Sequence, residues 1–235
     1  MTRLPKDRDT HLSSDEIAAE ALRQFDRAEG EPSIRSLAAA LRVAPSAIYH
    51  HYPARAAIVQ AAVERVWEEA TAGLLELVPR PFEEDPRKVL VATGIASRRA
   101  WLTHYRLSPY LAASPQVNDF TRDALGLMAN LFERLGLEGE EAANAFHSYS
   151  SFMIGSVLFA AARRAANEQL AAEAGDDPES RFQAVPTPSA ARRSAERTRR
   201  SLDAAVEVSA VDPGRDEKLY AEGLRRLVES LTRTG

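Results

Sequence analysis

The stretch SIRSLAAALRVAPSAIYHHY, residues 33–52, constrains what this chain can fold into more than any other part of it. Ser33 is a good N-cap, and Leu37, Ala38 and Leu41 follow at the spacing that puts apolar side chains on one face of a helix. Val43 and Pro45 interrupt that period before Ile48, Tyr49 and Tyr52 restart it. Two short helices joined by a tight turn satisfy the pattern. In a helix-turn-helix the first helix lies across the DNA backbone and the second sets its N-terminal side chains in the major groove. With Ile48 and Tyr52 turned inward, Pro45, Ser46, Ala47, Tyr49 and His50 face outward, small enough to approach base edges. Any compact helical protein also contains short helices joined by turns, so the periodicity alone leaves both readings open.

Charge adds a second constraint. No Asp or Glu lies between Glu31 and Glu64, where the 34 acids of the 235-residue chain would on average place about four or five. Phosphate would meet little repulsion there, and Arg35, Arg42 and Arg55 are available to the backbone. A second acid-free run, residues 86–118, carries Arg87, Lys88, Arg98, Arg99 and Arg106 and would suit an anionic small molecule or an ordinary solvated face.

The first seventy residues or so resemble the DNA-binding domain of the TetR family of bacterial transcriptional regulators. That family's pattern is an amphipathic first helix, then S-x-R-x-L-A-x-x-L-x-V, a short recognition helix ending in Y-x-H-[FY], and a linking fourth helix. This chain supplies LSSDEIAAEALRQF, SIRSLAAALRV and IYHHYPAR in that order. By the resemblance, Arg35, Ser46, Tyr49, His50 and Arg55 take positions that touch DNA in the family, and Ser33, Pro45 and Ala47 complete the expected surface. Two residues depart from the pattern: Arg42 stands in the turn where the family usually has Gly, and Ala54 replaces the usual polar N-cap of the fourth helix. A non-glycine residue in a left-handed turn costs about 1 kcal/mol, which a domain tolerates.

Composition bounds the rest. A chain of this length that is 45% hydrophobic can bury one substantial core, or a small domain packed on a larger one. The absence of cysteine removes disulfides, thiolate catalysis and cysteine-based metal sites, and suits a reducing cytoplasm. The N-terminus, MTRLPKDRDTH, has no apolar core of a signal peptide, and the longest apolar run, residues 152–162, is too short to span a bilayer. A cytoplasmic protein without a membrane partner is expected. The net charge of −4 argues against a general nucleic-acid coat protein but allows a small basic patch.

The expected fold is all-α: an N-terminal three-helix DNA-binding head with the helix-turn-helix, and a larger helical body. Residues 1–12 read as a loose arm, 13–77 as the head with its linking helix, and 78–235 as the effector-binding and dimerisation body, with 175–200 a mobile loop. Ser13 and Glu16 form a candidate capping box for the first helix, whose Ile17, Ala18, Ala21, Leu22 and Phe25 share a face. Ile58, Val59, Val63, Val66, Trp67, Leu74 and Leu75 keep the helical period beyond Pro53, until VPRPFEEDP at 78–86 breaks it. Further helices are predicted near 88–105, 109–113, 118–135, 140–174 and 216–232. The basic segment RRSAERTRRS reads as a solvated face or tether.

No constellation of catalytic groups is found: there is no H-E-x-x-H, G-x-S-x-G or glycine-rich phosphate loop, so no enzyme is expected. A small-molecule pocket is expected in the body. Trp101, His104, Tyr105, Tyr110, Phe120, Met128, Leu131, His147, Tyr149, Ser150 and Met153 offer aromatic walls with a few polar tips. Phe152, Gly155, Ser156 and Phe159 on one helix, with Tyr220, Leu224, Leu227 and Leu231 on the last, form the expected homodimer interface. Family members pair through their last long helices into a four-helix bundle, and a palindromic duplex asks for a two-fold partner. WLTHYRLSPYLAASP and FHSYSSFMIGSVLF also resemble the C-terminal domain of the tetracycline-repressor subgroup. Aligning on Pro115 puts Tyr110 where that subgroup has a histidine holding a magnesium-drug chelate, so neither tetracycline, a metal nor a cofactor is expected. The resemblance implies a repressor of double-stranded DNA released by an effector; an activator, or an adaptor whose head is only scaffold, is the alternative.

Overall fold

Local chemistry sets the helix starts. The structure is a computed structural model that describes residues 12–27, 31–113, 119–173 and 213–231. Helix α1 (Ser14–Asp26) opens on the expected capping box: the Ser13 hydroxyl accepts from the Glu16 amide at 3.1 Å, and the Glu16 carboxylate accepts from the Ser13 amide at 2.8 Å. Helix α2 (Ile34–Leu41) repeats the device with Ser33 and Ser36. Its C-cap, Arg42, is left-handed at φ 58° and ψ 41°, which ends α2 and turns the chain into α3 (Pro45–His51). Pro45 stands at the start of α3, where the missing N–H would have had no helical partner. Helix α4 (Arg55–Leu77) begins after Ala54, which makes no side-chain cap.

The body follows as α5 (Pro86–Thr103), a 3₁₀ turn (Tyr105–Leu107), α6 (Pro109–Ala113), α7 (Asp119–Glu133), α8 (Gly139–Glu173) and α9 (Pro213–Leu231). Every regular element among the described residues is helical. Helix α5 stops before its predicted end because His104 leaves helical geometry at φ −106° and ψ 41°. Helix α9 starts earlier than predicted, on Pro213, a residue suited to a first turn. The expected loop at 175–200 and the arm before Leu12 lie outside the described residues.

Two apolar clusters hold these helices. The first joins Ile17, Phe25, Leu37, Ile48, Ile58 and Val66 of the head to Trp101, Leu107, Leu111, Met153 and Val157 of the body. The second gathers Leu74, Leu90, Met128, Leu131, Phe132, Tyr149, Tyr220 and Leu224. A boundary at 77/78 therefore separates helices but not cores, because the first cluster continues from α4 onto α5, the 3₁₀ turn and α8. Each buried Leu or Ile stabilises by about 1.5–3 kcal/mol, so this shared cluster is a firm mechanical joint. Leu75 corrects the expected apolar face of α4: it is exposed, since Leu74 takes the inward position.

Gly94 is the point of closest approach in the second cluster. A Cβ built there would collide with Leu224 Cδ2 and stand 3.0 Å from the hydroxyls of both Tyr149 and Tyr220. Those hydroxyls donate to α5 carbonyls, Tyr149 to Leu90 at 2.7 Å and Tyr220 to Gly94 at 3.1 Å. The stretch Gly139–Gln169 of α8 is, by length and composition, long and apolar enough to cross a membrane, with 28% of that window buried in this chain. The run 152–162 set too short a bound because the uncharged residues 142–151 on its N-terminal side extend the window. Here α8 packs on α5, α7 and α9.

Candidate nucleic-acid interface

Helix α3 is fixed from beneath. Ile48 is fully buried, the half-buried Tyr52 donates its hydroxyl to the Ser14 carbonyl at 3.0 Å, and His51 Nδ1 lies 3.2 Å from the Ser14 hydroxyl. Helix α2 is tied to α1 by the Ser36 hydroxyl, which donates to the Gln24 amide oxygen at 2.8 Å. On the outer side Pro45, Ser46, Tyr49 and His50 are exposed and Ala47 is half-buried. Tyr49 shows 54% of its surface, a large fraction for a ring whose helix neighbour Ile48 shows none. Ser33 is exposed beside them and caps α2.

Arg35 and Arg42 are exposed and carry no ion-pair partner among the described residues. An unpaired guanidinium on an acid-free face can bond phosphate without first breaking an internal bridge. Arg55 is placed differently. Its Nε donates to the Pro32 carbonyl at 2.8 Å and its Nη2 pairs with Glu31, which also accepts from the Tyr110 hydroxyl. The bonds from Tyr110 and Arg55 hold the Glu31 carboxyl below the ordinary carboxylate range. Arg55, expected as a phosphate contact, therefore braces the start of α4 against the entry to α2, and Glu31 carries that brace to α6.

His104 makes a second tie between head and body that no sequence pattern announced. Its Nδ1 lies 2.9 Å from Asp26 at the end of α1 and its Nε2 2.8 Å from Glu69 of α4. Arg106 adds a bond from Nη1 to the Asp26 carbonyl at 3.0 Å. The two carboxylates stand on opposite ring nitrogens and so do not converge on one point. Among the described residues no group of three or more His, Asp or Glu side chains could hold a metal ion.

The residues expected to line a body pocket are dispersed. Trp101 is fully buried, edge-to-face with Trp67 at 5.5 Å, and its indole N–H has no partner among the described residues. Met153 lies in the first cluster; Met128, Leu131 and Tyr149 lie in the second. Tyr105 is buried and donates to Glu168, and Tyr110, half-buried, donates to Glu31. Ser150 is half-buried, His147 is exposed on α8, and Phe120 belongs to α7 with its side chain outside the described residues. As a single aromatic-walled site this set is corrected, because its members face two different cores and the buried ones are filled by neighbours.

The expected interface divides as well. Tyr220 and Leu224 are buried within the chain against Gly94, so they have no surface left for a partner. Phe152 stacks on Tyr220 at 5.6 Å, and Ser156 accepts from Arg98 Nε at 2.7 Å. Gly155 and Phe159 are exposed, Phe159 at 64%, and Leu227 and Leu231 are half-buried. The remaining apolar face thus runs along α8 with the outer edge of α9.

No family model matches the sequence, and no curated protein matches it. Solved structures do. The transcriptional regulator SCO7222, a TetR from Streptomyces coelicolor, is 19% identical, with 94% of this chain and 98% of that chain covered and a TM-score of 0.66. Apo ActR from Streptomyces coelicolor is 19% identical over 96% and 97% at a TM-score of 0.68. TetR-Q116A from Acinetobacter baumannii, in complex with minocycline, is 20% identical over 94% and 97% at 0.58. The chain has the all-α fold of these TetR-family regulators.

Proposed function

We propose that this protein is a DNA-binding transcriptional regulator, a homodimeric repressor that a small-molecule effector releases from a palindromic operator. The observation that carries the reading is the outer face of the head. Exposed Pro45, Ser46, Tyr49 and His50 ride on a fully buried Ile48, beside the unpaired Arg35 and Arg42, on a stretch without a single acid. Two such heads, one per subunit, would enter successive major grooves about 34–36 Å apart. The exposed apolar strip at Gly155 and Phe159 supports pairing through α8 and the edge of α9. We take residues 13–77 as the reading head, 78–235 as the effector-binding and dimerisation body, and the cytoplasm as its place; no catalytic role, metal or cofactor is assigned.

Effector control follows from the shared core. A ligand shifts the balance between head positions only by as much as it prefers one of them, and the head is joined to the body through Trp101, His104 and Glu31. Structures of ActR with (S)-DNPA and with actinorhodin show small-molecule binding by this fold in that protein. The test is fluorescence anisotropy on duplex DNA from the promoter beside the protein's own gene. Sequence-selective binding that weakens steeply with salt is expected. Binding that is absent, or equal on scrambled duplex, overturns the reading in favour of an adaptor whose head is scaffold.

A further inference from the structure

A groove of about 640 Å³ runs between the turn after α5 and the C-terminal half of α8, apart from the residues expected to line a body pocket except for Tyr105. Pro109, Leu158, Ala161 and Ala165 make its floor. Small alanines at helical spacing leave a flat apolar bed, and the volume falls in the roughly 300–1,000 Å³ range of small-molecule sites. One end is polar. Arg106 lines it with Glu168, which accepts both from Arg106 and from the Tyr105 hydroxyl. Arg106 and Arg164 stand over the Tyr105 ring at 4.6 and 5.0 Å, so two guanidiniums share this end with one carboxylate. A cation entering there would find only Glu168, already holding two donors; an anion would find the guanidinium excess.

Ser108, 3% exposed, adds to the lining a hydroxyl that can donate to a ligand acceptor. Elsewhere in the acid-free run at 86–118, Arg98 pairs with Asp216, Arg99 with Glu217 and Lys88 with Glu84, whereas the partner of Arg106, Glu168, itself lines the groove. Arg106 is the one that reaches the groove.

We infer that the groove binds a small organic acid with an apolar body, its acid group seated on Arg106 with an acceptor on Ser108. Arg106 also holds the last carbonyl of α1, so this site adjoins the head directly. The inference deepens the effector reading above and rests on it for its regulatory consequence only.

The probe is 8-anilinonaphthalene-1-sulfonate, with uncharged N-phenyl-1-naphthylamine as its matched control, titrated by fluorescence into the full chain without DNA. One sulfonate probe per chain is expected. Arg106→Gln should weaken it at least tenfold while leaving the uncharged amine within twofold. Ala165→Phe, an exposed position whose ring would fill the bed, should weaken both probes at least tenfold with the helical circular dichroism unchanged. Sulfonate binding that survives Ala165→Phe overturns the site, and equal loss of both probes in Arg106→Gln overturns the acid. Because DNA is absent from the titration, a protein that fails to bind any operator still gives a readable answer.

Discussion

Tyr49 and Tyr149 both read from sequence as contacts for something outside the chain, and the structure gives them opposite settings. Tyr49 stands 54% exposed on a helix that is anchored by its neighbour Ile48. Tyr149 is 3% exposed, with its hydroxyl on the Leu90 carbonyl and its ring edge-to-face with Phe132 at 6.3 Å. The head is small, so a seven-residue helix with one buried side chain leaves most of the others outside. The body is thick enough to surround α5 with α7, α8 and α9, and there an aromatic ring is by default a packing element. Residue type says little about outward use; the number of layers around a residue says much more.

The sharpest way to break this contrast is to truncate an aliphatic in the body. Leu224→Ala should lower unfolding free energy by about 2–5 kcal/mol, measured by urea denaturation, because Leu224 is fully buried against Gly94 and would leave a cavity. A loss under about 1 kcal/mol would show that the body core is less closed than drawn.

In the head the same kind of change should move binding rather than folding. Tyr49→Ala or Arg35→Ala should weaken operator binding by about 1–3 kcal/mol in anisotropy titrations and leave the urea midpoint nearly unchanged. If both variants bind as the parent does, the reading surface lies elsewhere.

Tyr149→Phe should cost about 1 kcal/mol near neutral pH, since it removes one hydrogen bond and keeps the ring. Its pH dependence is more telling. Burial pushes the Tyr149 phenol well above its ordinary value, and burial likewise raises Tyr220. A group raised in the folded state contributes stability that is whole below its unfolded value, about 10 for tyrosine, and is lost as pH climbs from there toward the folded value. The parent should therefore lose stability between about pH 10 and 12, and Tyr149→Phe should lose less of it over the same interval.

The smallest effect belongs to the turn. Arg42→Gly should raise stability by about 0.5–1 kcal/mol, because glycine adopts the left-handed conformation without Cβ strain. It should also reduce DNA affinity modestly if the Arg42 guanidinium meets phosphate, a loss that a shallower salt dependence would reveal.

Much of the head was legible because its signals act over a few residues. The capping box at Ser13, the cap at Ser33, the left-handed Arg42 and the uncapped Ala54 are all i to i+3 or single-residue chemistry. Helix ends in the body were legible to within a few residues for the same reason. The roles of body side chains were not. Ser156 reads as a small residue for close packing against another subunit, yet it accepts from Arg98 on a different helix. Arg98 reads as a surface cation, yet it is 5% exposed and held by Asp216 from α9. Gly94 carried no signal at all, and it is where two tyrosines and Leu224 close on α5.

The order of residues by itself determined an all-helical chain, the start and stop of each head helix, and the outward stripe of α3, because hydrogen bonds and periodicity within one helix decide those. Only the tertiary structure decided that Arg55 braces the head, that His104 joins three helices, that Tyr220 and Leu224 belong to the chain's own core, and that Arg106 and Ser108 share a groove. Each of those depends on partners brought from distant parts of the chain, and no local spacing encodes which face of one helix another will cover.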